Sequence, residues 1–590
     1  MAVAGGTLQS LAVTHPGTTF ITVSAVLAFF ALTPAPALIP VVALLATVRL
    51  STWVFSPRDG GHSKAVLQAA AIALASGAAH LAPSVEALSS PNIAVVIISA
   101  ATFFASAFAV ALVFLGYTLA RSRGSHWSRL TIFPALWASG WGSMSSVSPL
   151  GQLITWSPVH GLGPYEWIRP IFGQWGIDWV AAAWAVVLSE VLGDWIVGTP
   201  NADNDTDVLA DSAPLLQDDS DVPAYGTVSV PKPTTYQNSQ SLARSRSVLV
   251  LLGLLALLMT PSYTMPTLPL PVTPSMHTTP INVACALPGP RKSGDNPTLN
   301  DFIEATAQLH SGNTIILWPE NAVRFQSLVE KEEAFAWIQG TTPGNKYIGV
   351  SFEEYVPSED KDSKGKSYNS FALLSRSEVL FEYRKRNLVP ESMSLTPGHE
   401  VPHLVTLNLT KPNEWKGPGW SQTGSTRPVT LTASICLDFA SAASFTGLPS
   451  RPALILAPAR TWHESVGRAM WEQAQARAAE SGATVLWCDG GRGGLSGLAS
   501  ARHSEIVQVG PGSWSMPVGL PYPLDTRRTW YMAGGQGAAA AAVWAVALVG
   551  LLVEGGAEAV NVGQALAAVR RVLETLRRRK APADGNLIDV

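Results

Sequence analysis

A series of long apolar stretches limits the architecture of this chain more than any other feature. The first stretch, at about 19–55, is interrupted by Pro34, Pro36 and Pro40, which predicts two membrane-spanning helices joined by a tight turn. Further apolar segments at about 65–81, 93–120, 130–147, 176–197, 247–259 and 530–553 bring the prediction to about eight spans. Because 47% of the residues are hydrophobic and only 14% are charged, the composition agrees with an integral membrane protein.

Two segments differ in character from the apolar stretches. Residues 199–246 are dominated by Asp, Ser, Pro, Asn and Thr without periodicity, which is typical of a disordered linker. Residues 281–525 have the mixed composition of a globular domain. The predicted division is a membrane domain at 1–198, a cytoplasmic linker at 199–246, a transmembrane helix at 247–262, the globular domain at 281–525, a transmembrane helix at 528–553 and a cytoplasmic tail at 554–590.

Basic residues between the apolar segments predict the orientation. With the N-terminus in the cytoplasm, every loop rich in Lys and Arg lies on the cytoplasmic side, as the positive-inside bias expects. These are the loops around 58–64 and 121–129, the linker end at 244–246 and the tail at 570–580. We therefore expect the globular domain on the non-cytoplasmic side, in the periplasm or, in a eukaryote, in a secretory or vacuolar lumen.

Short apolar runs alternate with helical patterns in the globular domain, which predicts a layered α/β fold. A buried strand at Ile315–Leu317 leads to Glu320, and the carboxyl ends of strands are where α/β enzymes keep their chemistry. A lone acidic residue there is more often the first polar residue of a loop. Other predicted elements are strands at 281–286, 346–351, 371–374, 379–383, 429–435, 453–457 and 484–487, and helices at 297–310, 326–339 and 464–481.

The cysteine content gives no sign of a metal or redox centre. Cys285, Cys436 and Cys488 are too few for a disulfide scaffold, have no CxxC spacing and leave at least one thiol unpaired. The simplest expectation for each is a small buried apolar side chain. We expect no metal or other cofactor, and the net charge of −3 gives no basis for a nucleic-acid partner.

Three short motifs, in order, resemble the Glu-Lys-Cys triad of the carbon–nitrogen hydrolase (nitrilase) superfamily. They are Trp318–Glu320, Tyr383–Lys385 followed by Leu388–Pro390, and Ser434–Cys436. With several spans before it and one after it, the domain resembles the apolipoprotein N-acyltransferase family over most of the chain. Such a resemblance implies a nitrilase-like α-β-β-α sandwich. Further agreement lies at 134–137, 172–176, 462 and 473–480.

The resemblance also implies a role for each member of the triad. Cys436 is the nucleophile, and Glu320 is the general base that takes its proton and later that of the attacking group. A base is needed because a free thiol, with a pKa of about 8.5, is little ionised at neutral pH. Lys385 donates to the oxyanion, where a positioned donor contributes about 3 kcal/mol. If the resemblance is set aside, the simpler interpretation is that Lys385 belongs to a solvated basic cluster with Arg384 and Arg386.

The chain departs from the family around the triad. The Phe-Gly-Glu that follows Leu-Val-Pro is replaced by Glu391–Met393, so Glu391 is the candidate for the family's second glutamate. Where the family has Cys-Tyr-Glu, this chain has Cys-Leu-Asp at 436–438. Where the family has Asn-Asp, this chain has Ala459 and Arg460. We therefore expect a diverged substrate pocket, with these candidate residues: Trp318, Glu391, Asp438 and Trp462.

The implied function is an N-acyltransferase that moves a fatty acyl chain from a membrane phospholipid to an amine-bearing protein or lipid through a Cys436 thioester. A membrane-tethered amidase with the same triad and a scaffold protein of weak activity are the alternatives. The scaffold is motivated by the departures at Glu391 and Asp438. A sequon at Asn408 predicts glycosylation on the non-cytoplasmic side, if the host is eukaryotic.

Overall fold

The computed structural model describes residues 10–55, 61–88, 90–122, 126–197, 236–264, 268–270, 272, 275–290, 296–357, 365–389, 394–411, 420, 425–501 and 503–554. Its first half is helical and packs around a core rich in Trp, Ala, Val and Leu. The helices of this part are α1 (Pro16–Ala31), α2 (Leu38–Phe55), α3 (Gly61–Leu88), α4 (Pro91–Ser122), α5 (His126–Val147), α6 (Arg169–Val197) and α7 (Tyr236–Leu257).

Six helices in the described ranges are long and apolar enough to cross a membrane, so the predicted count of about eight is not confirmed. The two predicted spans that are missing are α1 and α5. With 16 residues, α1 is only about 24 Å long and falls short of a full span. Ser, Gly and Pro residues interrupt the apolar surface of α5. The six candidates are Leu38–Phe55, Gly61–Leu88, Pro91–Arg121, Gly163–Ile196, Arg246–Tyr263 and Trp530–Val549.

Part of the segment predicted as a disordered linker is helical. Residues 236–246 form the first turns of α7. Once an apolar span forms a helix, adding residues to its end is much easier than starting a new helix, and Gln, Leu, Ala and Arg all favour this extension. The rest of the predicted linker and the tail at 555–590 lie outside the described residues.

The globular domain contains two mixed sheets. The first has the order β13-β1-β2-β4-β5-β6, with β3 also paired to β4, and the second has the order β12-β11-β10-β9-β8-β7. The strands are β1 (Thr278–Cys285), β2 (Ile315–Leu317), β3 (Val323–Phe325), β4 (Tyr347–Val356), β5 (Lys366–Leu374), β6 (Val379–Arg384), β7 (Val405–Thr410), β8 (Thr426–Ala433), β9 (Leu454–Ala459), β10 (Thr484–Asp489), β11 (Leu495–Ala499), β12 (Ser504–Val509) and β13 (Trp514–Pro521).

The two sheets share one apolar core, and helices cover them from outside. Side chains on alternate strand positions, such as Leu317 and Leu431, meet between the sheets. Helices α8 (Leu299–Leu309) and α9 (Leu328–Thr341) cover the outer face of the first sheet. Helix α10 (Glu464–Ser481) packs against β10 and β11. The predicted α/β sandwich is therefore confirmed.

Helix α11 (Trp530–Glu554) follows the globular domain and returns the chain to the membrane part. It packs against α5 and α6. Helix α10 of the globular domain also contacts α6 and α11. The sandwich therefore rests directly on the helical part of the protein.

A disulfide connects the two sheets through the core. Cys285 at the end of β1 is bonded to Cys488 in β10, and their Cα atoms are 5.8 Å apart. Both side chains are buried, as expected, but they are bonded to each other and are not free thiols. Their sequence separation of 203 residues hid the pairing, because only the packing of the two sheets brings them together. Cys436 is the free cysteine.

Candidate active site

Glu320 lies just beyond the end of β2 and is held from several sides. It is 5% exposed. Its Oε1 accepts hydrogen bonds from Lys385 Nζ at 2.5 Å and from Asn369 Nδ2 at 2.7 Å. Its backbone N–H donates to the carbonyl of Ala459 at the end of β9. The carboxylate is therefore fixed at the carboxyl ends of strands from both sheets and is not a loop residue in solvent.

Lys385 follows β6 directly and is 3% exposed, so it does not belong to a solvated basic cluster. Burial alone lowers the pKa of Lys385, but the negative charge of Glu320 and its hydrogen bond to the ammonium group outweigh burial and raise that pKa. Arg384, by contrast, points outward and pairs with Glu354 at 3.0 Å. Lys385 therefore supplies a permanent positive charge at neutral pH.

Cys436 occupies a tight turn after β8. It begins a 3-10 helix at Cys436–Ala440 and has a φ of 41°, a left-handed conformation that costs energy for any residue except glycine. Burial and the charge of Glu320 raise the pKa of its thiol well above the ordinary value. Lys385 and a hydrogen bond from the backbone N–H of Arg460 act in the opposite direction. The structure therefore brings all three triad residues together, with the resting cysteine as a thiol.

Asp438 holds the turn of Cys436 to the segment that carries Lys385. Its side chain is fully buried and does not line the cleft described below, so it is not a pocket residue as predicted. Its carboxylate accepts hydrogen bonds from Tyr383 Oη at 2.7 Å, from the backbone N–H of Asn387 at 2.8 Å and from the backbone N–H of Ile435 at 3.2 Å. The carboxylate of Asp438 is therefore fully engaged in positioning these two segments.

Trp318 is also a structural residue and not a pocket residue. It is fully buried between the first sheet and α8. Its Nε1 donates to Thr306 Oγ1 at 2.8 Å, and its ring stacks on Phe302 with 5.0 Å between centroids. The indole therefore fills the outer layer behind Glu320.

A cleft of about 1270 Å³ opens over Glu320. Trp462 lines the cleft, and its Nε1 donates to the carbonyl of Pro83 in α3 at 2.9 Å. Glu86, also from α3, contributes to the same wall. The cleft is therefore formed jointly by the sandwich and a candidate membrane helix. Glu391 lies outside the described residues.

The membrane part also supports the turn that carries Cys436. Gly151 has a φ of +56° and lies so close to the carbonyl of Ala440 that a Cβ would overlap it. Tyr531 of α11 donates its hydroxyl to the carbonyl of Ala442 at 3.2 Å. The conformation of the Cys436 turn therefore depends on both parts of the protein.

Three residues of the site were missed from sequence. Asn369 orients Glu320, and Arg460 supplies a backbone donor to the Cys436 sulfur. Asp489, at the end of β10, is buried and accepts hydrogen bonds from the backbone N–H and hydroxyl of Thr461 at 2.9 and 2.7 Å. Burial raises the pKa of Asp489. These residues come from different elements, so the packing of the sheets identifies them and local pattern does not.

Two further predicted features concern the surface and metals. Asn408 is exposed on β7, the edge strand of the second sheet, and its glycosylation stays a prediction. In the described part of the chain, no group of three or more His, Cys, Asp or Glu side chains is placed to hold a metal ion.

No protein-family model and no curated protein matches the chain. Among solved structures it is similar to Nit3 of Saccharomyces cerevisiae, a member of branch 10 of the nitrilase superfamily, with 18% identity, a TM-score of 0.30 and coverage of 41% of this chain and 90% of Nit3. It is also similar to the glutamine-dependent NAD+ synthetase of Acinetobacter baumannii, with 15% identity, a TM-score of 0.29 and coverage of 44% of this chain and 50% of the synthetase. A third similar structure is XC1258 of Xanthomonas campestris, a CN-hydrolase superfamily protein, with 15% identity, a TM-score of 0.27 and coverage of 41% of this chain and 91% of XC1258.

Proposed function

We propose that this chain is an integral-membrane acyltransferase of the carbon–nitrogen hydrolase superfamily, which transfers a fatty acyl chain from a phospholipid to an amine through a Cys436 thioester. The observation that carries the proposal is the buried arrangement of Glu320, Lys385 and Cys436 beneath a cleft that reaches a candidate membrane helix through Trp462. A thiol, a carboxylate and a fixed ammonium group are the parts needed for covalent acyl transfer.

In the first half-reaction, Glu320 takes the proton from the Cys436 thiol, and the thiolate attacks the carbonyl carbon of the phospholipid ester. The Lys385 ammonium group stabilises the oxyanion of the tetrahedral intermediate. As the C–O bond breaks, Glu320 returns the proton to the departing glycerol oxygen. The products are an acyl-thioester on Cys436 and a lysophospholipid.

In the second half-reaction, an amine nitrogen attacks the thioester carbonyl while Glu320 accepts a proton from that nitrogen. The C–S bond breaks, an amide forms, and the proton passes to the Cys436 sulfur to restore the resting thiol. Water in place of the amine would release a free fatty acid. The acceptor is therefore decided by what enters the cleft after the lysophospholipid leaves.

Incubation of the full-length protein in lipid nanodiscs with acyl-labelled phospholipid tests the proposal. We expect label on Cys436, release of lysophospholipid and transfer of the label to a peptide with a free amine. The Cys436→Ala variant, which lacks the nucleophile, should remain unlabelled. Release of labelled fatty acid without any amide product would instead identify a hydrolase, and a folded protein that never acquires label would contradict acyl transfer.

The disulfide supports the proposed placement of the sandwich on the non-cytoplasmic side, because such bonds persist in oxidising compartments and are rare in the cytosol. We predict that a maleimide added to denatured, unreduced protein from cells labels Cys436 alone, because the Cys285–Cys488 bond protects the other two thiols. After reduction, all three cysteines should be labelled. Labelling of all three before reduction would argue for a cytoplasmic sandwich.

A further inference from the structure

Two arginines lie on neighbouring loops along one wall of the cleft. Arg460 follows β9 and Arg492 follows β10, and both line the cleft. Their loops pack backbone to backbone, since a Cβ at Gly491 would overlap the carbonyl of Thr461. The parallel pairing of β9 with β10 explains why the two loops meet at the same edge of the sheet.

Neither arginine is neutralised by a carboxylate in the described ranges. Among the residues that the structure describes, the Arg460 guanidinium donates to neutral oxygens, the Asn321 carbonyl at 3.4 Å and Asn296 Oδ1 at 3.1 Å. Arg324 also lines the cleft, but it pairs with Glu353 at 3.0 Å. The wall formed by Arg460 and Arg492 therefore has positive charge available for a ligand.

The acidic residues that line the cleft come from other elements. Glu86 belongs to α3, Glu320 follows β2, and Glu330 and Glu333 belong to α9. Glu330 accepts a hydrogen bond from the backbone N–H of Gln326 at 2.7 Å, so it is occupied with the start of its own helix. The cleft thus has oppositely charged residues on different elements.

The arginine wall is directly connected to the nucleophile. The backbone N–H of Arg460 donates to the Cys436 sulfur. The Arg460 guanidinium donates a hydrogen bond to the carbonyl of Asn321, the residue that follows Glu320. Two residues later, the indole N–H of Trp462 donates to the carbonyl of Pro83 in α3. The short segment 460–462 therefore touches the thiol at one end and the membrane part at the other.

We propose that Arg460 and Arg492 bind the phosphate of the acyl donor, so that the enzyme selects a phospholipid over a neutral glyceride. A guanidinium group suits this task because its planar donors match phosphate oxygens in pairs. The inference rests on the proposed function and adds the residues that recognise the donor. Because Arg460 also holds the Cys436 sulfur through its backbone, a phosphate bound there places the donor beside the thiol.

Acylation of Cys436 by two donors tests the inference in full-length protein. One donor is phosphatidylglycerol in nanodiscs, and the other is a nitrophenyl fatty-acyl ester, which has no phosphate. In Arg460→Gln and Arg492→Gln, the phospholipid concentration that gives half-maximal acylation should rise on the order of 10-fold. The ester comparison is made with Arg492→Gln, whose acylation by the ester should change little because the ester carries no phosphate. Gln keeps the backbone N–H of residue 460. The matched control is Arg324→Gln, which removes an arginine already paired with Glu353.

Equal losses with both donors, or no loss with either, would overturn the inference. Glycerol 3-phosphate identifies the source of the phosphate. If it inhibits the ester reaction of wild type but not of Arg460→Gln, the site binds a free phosphate ester, whereas selectivity only for nanodisc lipid identifies a headgroup at the membrane surface.

A binding measurement separates this inference from the proposed function. Short-chain phosphatidylglycerol should bind to detergent-solubilised Cys436→Ala protein, and adding Arg460→Gln should weaken the binding on the order of 10-fold. Unchanged binding overturns the phosphate site, whatever the outcome of the acylation reactions. Absence of any Cys436 thioester in wild type would instead contradict the proposed acyl transfer.

Discussion

Replacing Glu320 with Gln is expected to lower acyl transfer by at least about 100-fold, while making the Cys436 thiol easier to ionise. Gln cannot accept the thiol proton, so the proposed reaction loses its general base. It also removes the negative charge that helps to raise the pKa of Cys436, and it leaves the positive charge of Lys385 in place. The pKa of Cys436 should therefore fall below its wild-type value although activity falls as well.

The rate of Cys436 alkylation by iodoacetamide, measured as a function of pH, checks this prediction. In wild type the rate should rise only above the pH range of an ordinary thiol, because burial and Glu320 both disfavour the thiolate. In Glu320→Gln the rise should move to lower pH. The companion variant Lys385→Met should move it to higher pH, since it removes a cation that favours the thiolate. If the pH profile of Glu320→Gln is the same as that of wild type, the charge of Glu320 does not affect the ionisation of the Cys436 thiol.

Replacing Asp438 with Ala is expected to destabilise the protein by about 3 kcal/mol and to disable the nucleophile. The carboxylate accepts hydrogen bonds from buried donors on Tyr383, Asn387 and Ile435, and Ala would leave them unpaired. The same change releases the Cys436 turn from the segment of Lys385. Thermal unfolding in detergent should shift down by several degrees, and acylation of the folded fraction should slow.

The matched control for this prediction is Asp525→Ala. Asp525 is half exposed and pairs with Arg527, which is largely exposed. Its loss should have little effect on either measurement, because exposed pairs contribute little to stability. If Asp438→Ala unfolds at the same temperature as Asp525→Ala, Asp438 does not hold the two segments together.

The fold was predictable where a strand is a compact apolar run. Strands β1, β2, β4, β9 and β10 carry such runs, and the turn between β5 and β6 has a recognisable hairpin pattern. Strand β12 is mostly exposed, and β13 contains two prolines, so neither has a strong pattern. The antiparallel pairing of β13 with β1 joins residues far apart in the chain, which local periodicity does not reveal.

The site was predictable only in part, for a related reason. Ordered motifs located Glu320, Lys385 and Cys436, and the structure brings these residues together. The motifs did not distinguish a residue that lines the cleft from one that supports it, so Trp318 and Asp438 were assigned to the pocket. Distinguishing them requires knowledge of which side of the sheet each side chain faces and which neighbours satisfy its polar atoms.

The most direct test of the account is the mass of the Cys436 peptide from protein extracted from its native membrane. We expect a fraction of the peptide to be heavier by one fatty acyl chain, with the added mass removed by neutral hydroxylamine, which cleaves thioesters. The Glu320→Gln variant should lack this adduct. A Cys436 that stays unmodified in folded wild-type protein supplied with phospholipid would contradict the thioester mechanism.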